Sequence, residues 1–302
     1  MTRARSVGRI VAALTAASVA AISAVAPAQI RPADPASKFT YEGGVANTRH
    51  NLTQRPIGGG AELMNPVRND YGEVCVYCHT PHQASSALPA PLWNRTTRAT
   101  TYTMPVSQAR DGVAAQPGAA SLTCLSCHDG TVAIDSIINM PGPGRIDRAQ
   151  ERGQNDAFMS QAWRNPSGAD ADTHAALDRT GCLSCHSPGS GRNAQDFTRA
   201  LIGTDLRDDH PVGVPLPSSR LGEFVRPDRS GDRLAFYDRN ANGRPDPNEV
   251  RYYDAGAGAA VECASCHDPH GVPDGARGGR FLPKFLRVTT NGGALCLTCH
   301  VK

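Results

Sequence analysis

All ten cysteines of the 302-residue chain fall into five pairs of one spacing, each followed at once by histidine. The pairs are Cys75 and Cys78 before His79, Cys124 and Cys127 before His128, Cys182 and Cys185 before His186, Cys263 and Cys266 before His267, and Cys296 and Cys299 before His300. C-x-x-C-H is the attachment motif for c-type haem. Two thiols on one helical turn can each form a thioether to a haem vinyl group, and the adjacent imidazole then reaches the iron as proximal ligand. Disulfides suit this spacing poorly, because C-x-x-C favours redox chemistry over structural bridging. Zinc ribbons use paired C-x-x-C but do not require histidine at the next position. The count implies five haem c groups per chain.

Subtracting the proximal set from the ten histidines leaves His50, His82, His174, His210 and His270. Five spare imidazoles for five irons point to bis-His ligation throughout. Methionine is the other common distal ligand, but Met64, Met104, Met140 and Met159 stand in no setting that marks them. His79-Thr80-Pro81-His82 and His267-Asp268-Pro269-His270 each place a spare histidine three residues after a proximal one. So short a step cannot pass around a haem edge, so His82 and His270 should each serve a neighbouring haem. His210 precedes Pro211, which favours an extended, loop-borne ligand. With every iron six-coordinate no position is left for a substrate, which argues for electron transfer and against an enzyme.

The chain starts in the manner of an exported precursor. Arg3, Arg5 and Arg9 precede an uncharged Ala/Val-rich run from Ile10 to Ala26, and Ala26-Pro27-Ala28 offers a cleavage site. Residues 1–28 are therefore expected to be a signal peptide and 29–302 one pentahaem unit, not membrane-spanning. Removing three of the 31 basic residues leaves 28 against 28 acidic ones. That neutral balance, without a basic stripe, excludes nucleic acid as a partner. Almost all basic charge is arginine, which codon bias in an Ala/Arg/Gly/Pro-rich proteome explains first; pairing of its fork with haem propionates is the lesser reading. Aromatics make up 5% of the chain, and glycine and proline together number 53, so side chains alone would struggle to build a core.

A second metal signal lies at 238–249. Asp238, Asn240, Asn242, Gly243 and Glu249 match the EF-hand calcium loop D-x-[DN]-x-[DN]-G-x5-E. The Arg244 carbonyl and Asp246 would complete the set, and Gly243 permits the sharp turn. Pro245 and Pro247 in the second half, with weak helical periodicity on either side, depart from a paired EF-hand.

Motif spacings of 49, 58, 81 and 33 residues are too uneven for a solenoid. The expected fold is irregular, mostly loops with short α-helices around a chain of covalently bound haems, and little β structure beyond small hairpins near Leu234–Tyr237 and Val250–Tyr253. Arg49-His50-Asn51-Leu52, the two C-H-x-P-H segments, Pro91-Leu92-Trp93-Asn94, Cys124–Gly130, Asp209-His210-Pro211-Val212 and Leu295–His300 occur in an order that resembles doubled-CXXCH multihaem cytochromes. The likeness is to the four-haem outer-surface type that polymerises into extracellular nanowires. It implies a head-to-tail filament of identical copies at the cell surface or beyond, with His50 donated to a haem of the next copy. The four-haem pattern accounts for motifs one, two, four and five, so the site of Cys182, Cys185 and His186 is an addition, and His174 is the expected ligand arriving with it. The competing reading is a periplasmic electron shuttle, or a small subunit serving a reductase, with other redox proteins as partners.

Overall fold

Five short strands pair into one antiparallel sheet in the computed structural model of the chain, which corrects the expectation of little β structure. The structure describes residues 39–53, 71, 73–86, 88, 90–95, 99–105, 116–139, 176–188, 190, 195–210, 212–216, 222–231, 233–254 and 258–301. Residues 1–28, the expected signal peptide, and His174 lie outside them. All described residues belong to one unit within Pro32–Lys302. Among them, no helix is long and apolar enough to cross a membrane.

The strands are β1 (Val214–Pro215), β2 (Arg229–Ser230), β3 (Leu234–Phe236), β4 (Arg251–Asp254) and β5 (Ala259–Val261), in spatial order β1-β5-β4-β3-β2. Ala235 pairs with Tyr252, Tyr253 with Ala260, and Val214 with Val261. The anticipated hairpins are β3 and β4. What the local pattern did not reveal is their extension on both sides. Two- to four-residue strands are too short to show a period of two, and β1 lies far from β5 in sequence. Pairing satisfies backbone groups that a haem cannot.

One sheet face carries Ala235 and Tyr252. These pack with Tyr237, Val250 and Val288 into a cluster that also receives Leu295 and Cys299. The sheet is therefore the wall behind the fifth motif, and β5 runs directly into the fourth.

Three helices carry motifs: α1 (Ala119–His128), α2 (Cys263–Cys266) and α3 (Ala294–Cys299). The first and third motifs form 3₁₀ turns, Cys75–Tyr77 and Cys182–Ser184. Apolar residues gather in several small clusters instead of one core. That matches the scarcity of aromatic residues. Met104 packs with Tyr102, Leu125 and Leu206, a core position.

Candidate functional site

Each motif turn carries two sulfurs and one imidazole within five consecutive residues. The His79, His186, His267 and His300 amides donate to the carbonyl of the first cysteine of their own motif, and His128 is the last residue of α1, so the turn orients the ring. No cysteine is in a disulfide. Burial pushes the Cys78, Cys182 and Cys266 thiols up to about 12. These thiols stand in for the thioether sulfurs of a haem-bearing chain.

The turn that carries the two thiols differs between sites, 3₁₀ in the first and third motifs and α-helical in the second. Cys127 lies with Cys124 inside α1, and both are half-buried. Cys185 instead falls just past the 3₁₀ turn that Cys182 opens. Cys182 is buried, whereas Cys185 is half-buried with the Ser184 hydroxyl 3.8 Å from its sulfur. The Cys182 carbonyl accepts from the Cys185 amide at 3.3 Å and from the His186 amide at 3.0 Å, a single tight turn that its flanks do not extend into a helix.

Four proximal rings share one feature. Nδ1 lies 3.0 Å from the Pro91 carbonyl in His79, 2.7 Å from Ala200 in His128, 2.8 Å from Gln195 in His186 and 2.8 Å from Lys284 in His267. An Nδ1–H donated to a carbonyl fixes the tautomer and leaves the Nε2 lone pair for a metal. Burial lowers the basicity of His128 and His267, keeping their rings neutral, as ligation requires. These residues fit haem iron. His300 rests instead against Phe224, with ring centres 4.9 Å apart.

Two spare histidines face proximal ones. His79 and His270 have ring centres 6.2 Å apart and planes 13° apart. His50 and His128 are also 6.2 Å apart, with planes at 86°. A metal–imidazole bond is about 2 Å, and the ring centre lies roughly 1.1 Å behind the bonding nitrogen, from ring bonds of about 1.3 Å. Two imidazoles on opposite sides of one iron therefore have centres roughly 6 Å apart, which both pairs match. His270 Nδ1 bonds Asp268 Oδ1 at 2.9 Å, and Asp268 accepts from Arg287 at 3.0 Å. That carboxylate raises the His270 basicity. Burial disfavours the Asp268 anion, yet the bonds from His270 and Arg287 win and hold the carboxyl down at about 2. It is the carboxylate–histidine arrangement common behind metal ligands.

His50 packs within its own chain in this single copy, stacked on Phe285 at 4.6 Å. The 39–53 arm is held back by a bond from Phe281 N to the Tyr41 carbonyl at 2.7 Å and by Arg49, which bonds Gln195 and lies over Phe197. Apolar content in the arm is low, but polar and aromatic contacts suffice. Burial, then the nearby His128, takes His50 down to about 4. Its Nδ1 is buried without a hydrogen-bond partner, while the Pro269 carbonyl approaches the ring. A buried orphan nitrogen is costly, and a bound iron would satisfy such a ring.

His82 and His210 are exposed, and neither meets a proximal ring among the described residues. The structure thus brings together pairs for the first and second motifs, and, among the described residues, none for the third, fourth and fifth.

Sequence reasoning missed the supports. The Pro91, Ala200, Gln195 and Lys284 carbonyls have no residue-type signal. Nor do the fully buried Arg95, which donates to the Ser126, Ala133 and Ile134 carbonyls at 2.7–2.9 Å, and Arg287, which donates to Ala264 and Pro247 at 3.0 and 2.8 Å. These forks bind backbone, a use not foreseen beside propionate pairing. Phe197 stacks on His186 at 4.0 Å and Trp93 meets His79 edge-on at 5.9 Å. Their rarity was the available clue.

The 238–249 loop connects β3 to β4, so strands flank it where an EF-hand has helices. Asp238 accepts from the Asn242 and Gly243 amides at 3.0 and 2.9 Å, and from Arg229 at 2.9 Å. Glu249, fully buried, accepts from the Arg239 and Asp246 amides at 2.8 and 2.9 Å. Asn240 Oδ1 accepts from Asn242 N, and Asn242 Oδ1 from Arg244 N. The Asn240 and Asn242 amides also donate Nδ2 to Asp246, each at 2.7 Å. Among the described residues no group of three or more His, Cys, Asp or Glu is arranged to hold a metal.

Residues 256–302, which hold the fourth and fifth motifs, match the family model described as the doubled CXXCH motif. Cys75, Cys78, Cys124, Cys127, Cys182 and Cys185 lie outside the matched segment, so their role as haem thioethers rests on the motif itself. No curated protein matches the chain. Together with the five C-x-x-C-H motifs, the family match supports a multihaem c-type cytochrome that transfers electrons.

Proposed function

We propose that the chain is an exported pentahaem cytochrome that passes electrons along bis-His irons and performs no substrate chemistry. The observation that carries this reading is the pair of imidazole couples, His79/His270 and His50/His128, at 6.2 Å. Bound haem supplies a one-electron ferric/ferrous couple, and two neutral imidazoles hold its potential lower than Met ligation would. The protein's part is to fix the rings. Carbonyls orient Nδ1, the Asp268 carboxylate strengthens His270 as a donor, and burial keeps His50 and His128 uncharged. Cys127 and Cys185 would each close the second thioether of their sites despite their different turns. His82, His174 and His210 are left for the irons of motifs three to five.

The test combines intact mass with electron paramagnetic resonance of the oxidised protein. Mass should exceed the mature polypeptide by five haems. The near-parallel His79/His270 planes split the iron π-orbitals and should give a rhombic low-spin signal. The perpendicular His50/His128 planes leave those orbitals nearly degenerate and should give a separate large-g signal. His270→Ala should abolish the first signal and His50→Ala the second, each creating one high-spin haem. A mass showing four haems, or a substantial high-spin signal in the wild type, would defeat the reading.

For assembly, the resemblance supports a head-to-tail filament of copies at the cell surface. An exchanged 39–53 arm would make the same His50–His128 contact between copies, and a heterologous contact of that kind propagates. The His50 contact within one chain favours a second reading, a self-contained carrier in the periplasm that serves other redox proteins. Electron micrographs of wild type and His50→Ala separate them. Filaments lost in the variant support the exchanged arm, and single particles in both support the carrier.

Calcium at Asp238, Asn240, Asn242, Arg244, Asp246 and Glu249 is part of the same proposal. Support comes from the loop pattern and from backbone amides that already hold the Asp238 and Glu249 carboxylates. Chelation should lower the melting temperature without haem loss, and equal melting with chelator and with added calcium would refute it.

A further inference from the structure

Four of the five motifs interlock. Asn94 N donates to the Cys78 carbonyl at 2.9 Å, and the next residue, Arg95, holds Ser126, joining the first motif to the second. Ser121 Oγ accepts from Cys263 N at 2.8 Å, and Glu262 binds Gly118 N at 3.0 Å, joining the second to the fourth. His270, just beyond the fourth motif, faces His79 of the first. Cys266 and Leu295 share one cluster, joining the fourth to the fifth.

The third motif is placed differently. Leu177, Cys182 and Leu183 pack against Ile134, Ala200 and Leu201, and Ala133 bridges to Ala176. Ala133 and Ile134 closely follow the second motif. Ala200, which follows the third motif, supplies the carbonyl that orients His128, and the Ile202 and Gly203 amides donate to the His128 carbonyl at 2.8 and 3.1 Å. Arg95 reaches the same Ala133 and Ile134 through their carbonyls, so the tie from the third motif toward the first also runs through the stretch that follows the second. Among the described residues the 182–186 turn itself packs on no residue of the first, fourth or fifth motif. The 195–201 segment also carries Gln195 and Phe197, which hold Arg49 beside His50. One segment therefore braces both rings of the second site and contains the support of the third.

We propose that the third haem is a lateral branch that meets the others through the second haem alone, making the second site a junction. This rests on the pentahaem reading above. Each transfer between the third and second sites oxidises one ferrous iron and reduces one ferric iron, with no bond made or broken. The branch supplies a lateral port for a one-electron partner while the other four sites stay continuous.

The test removes the third haem with a double variant, Cys182→Ala with Cys185→Ala, and follows the haem-methyl resonances of the remaining four through a reductive titration. The resonances that vanish when Cys124→Ala is combined with Cys127→Ala identify the second haem. The expected result is a shift in resonances and midpoint for the second haem, with the first, fourth and fifth unmoved. Shifts in the fourth or fifth haem, or none in the second, would overturn the branch. Should either variant fail to accumulate, an experimental structure of the haem-loaded wild type decides. The second haem as sole close neighbour of the third supports the branch, and a third haem lying between two others defeats it. A wild-type mass below five haems refutes the pentahaem reading itself, a separate outcome.

Discussion

The second and third motifs are the same pentapeptide, Cys-Leu-Ser-Cys-His, in two different conformations. At 124–128 it ends the ten-residue helix α1, whereas at 182–186 it begins as a three-residue 3₁₀ turn. The flanks explain the difference. Ala119, Ala120 and Leu122 favour helix and supply the turns that the pentapeptide continues. Before Cys182, Asp178 instead accepts from Thr180 N at 3.0 Å and from Gly181 N, closing an Asx turn. Cys182 N then donates to the Ala176 carbonyl at 3.0 Å. Ser126 is buried under Arg95, while Ser184 is exposed. Yet both histidines end with Nδ1 on a carbonyl, at 2.7 and 2.8 Å. The pentapeptide thus specifies the chemistry, and its surroundings specify conformation and burial.

Four substitutions would break or sharpen this comparison. The largest effect is expected from Arg95→Ala, which strands the Ser126, Ala133 and Ile134 carbonyls in and just after the second motif. A loss of about 4 kcal/mol in denaturant unfolding is expected, with the third haem's spectrum intact. Gly181→Ala acts on the other copy, since a Cβ there would run into the Ala176 carbonyl oxygen. Overpacking of this kind costs about 2 kcal/mol, and resonances of the third haem should move before those of the second. Ser126→Ala removes a buried hydroxyl that donates to the Thr123 carbonyl at 2.7 Å and accepts from Arg95 at 3.2 Å. It should cost about 1 kcal/mol, and Ser184→Ala less than about 0.5 kcal/mol. Equal costs for the two serines would show that burial does not distinguish the copies.

The smallest effect concerns pH. Burial raises the Glu262 carboxyl above its ordinary 4.5, against the bonds from Ser121 and Gly118 N at the start of α1. A folded-state value above the unfolded one means that the stabilising contribution is fully present below about 4.5 and fades as pH rises through the raised value. Melting of wild type should therefore fall relative to Glu262→Gln as pH climbs through that window. A constant difference between the two across pH would contradict the assignment. The third motif has no such partner among its described contacts, so its haem signals should be insensitive over the same range.

The covalent sites and proximal ligands were legible because C-x-x-C-H is a local pattern whose chemistry requires adjacency. That His270 should face a neighbouring site and not its own was an expectation of the same local kind, since a three-residue step cannot pass around a haem edge. The His79 partnership was not legible, because 191 positions of chain separate the two rings in the sequence. The in-chain seat of His50 was hidden too. It depends on Phe285, Phe281 and Gln195, each far along the chain. The β3 and β4 segments were anticipated as hairpins, yet β1, β2 and β5 carry too few residues to show alternation. The 238–249 pattern reads from the sequence as a calcium loop, and only the structure shows strands on either side of it.

From the sequence alone came the number of attachment motifs, the identity of their sulfurs and proximal imidazoles, and the spare histidines. Each follows from short-range covalent reach, which residue order dictates directly. Tertiary structure decided which imidazoles face each other, which carbonyl fixes each tautomer, how one pentapeptide takes two shapes, and that a five-stranded sheet backs the last motif. These depend on contacts between distant segments, where packing, burial and backbone hydrogen bonding override local preference.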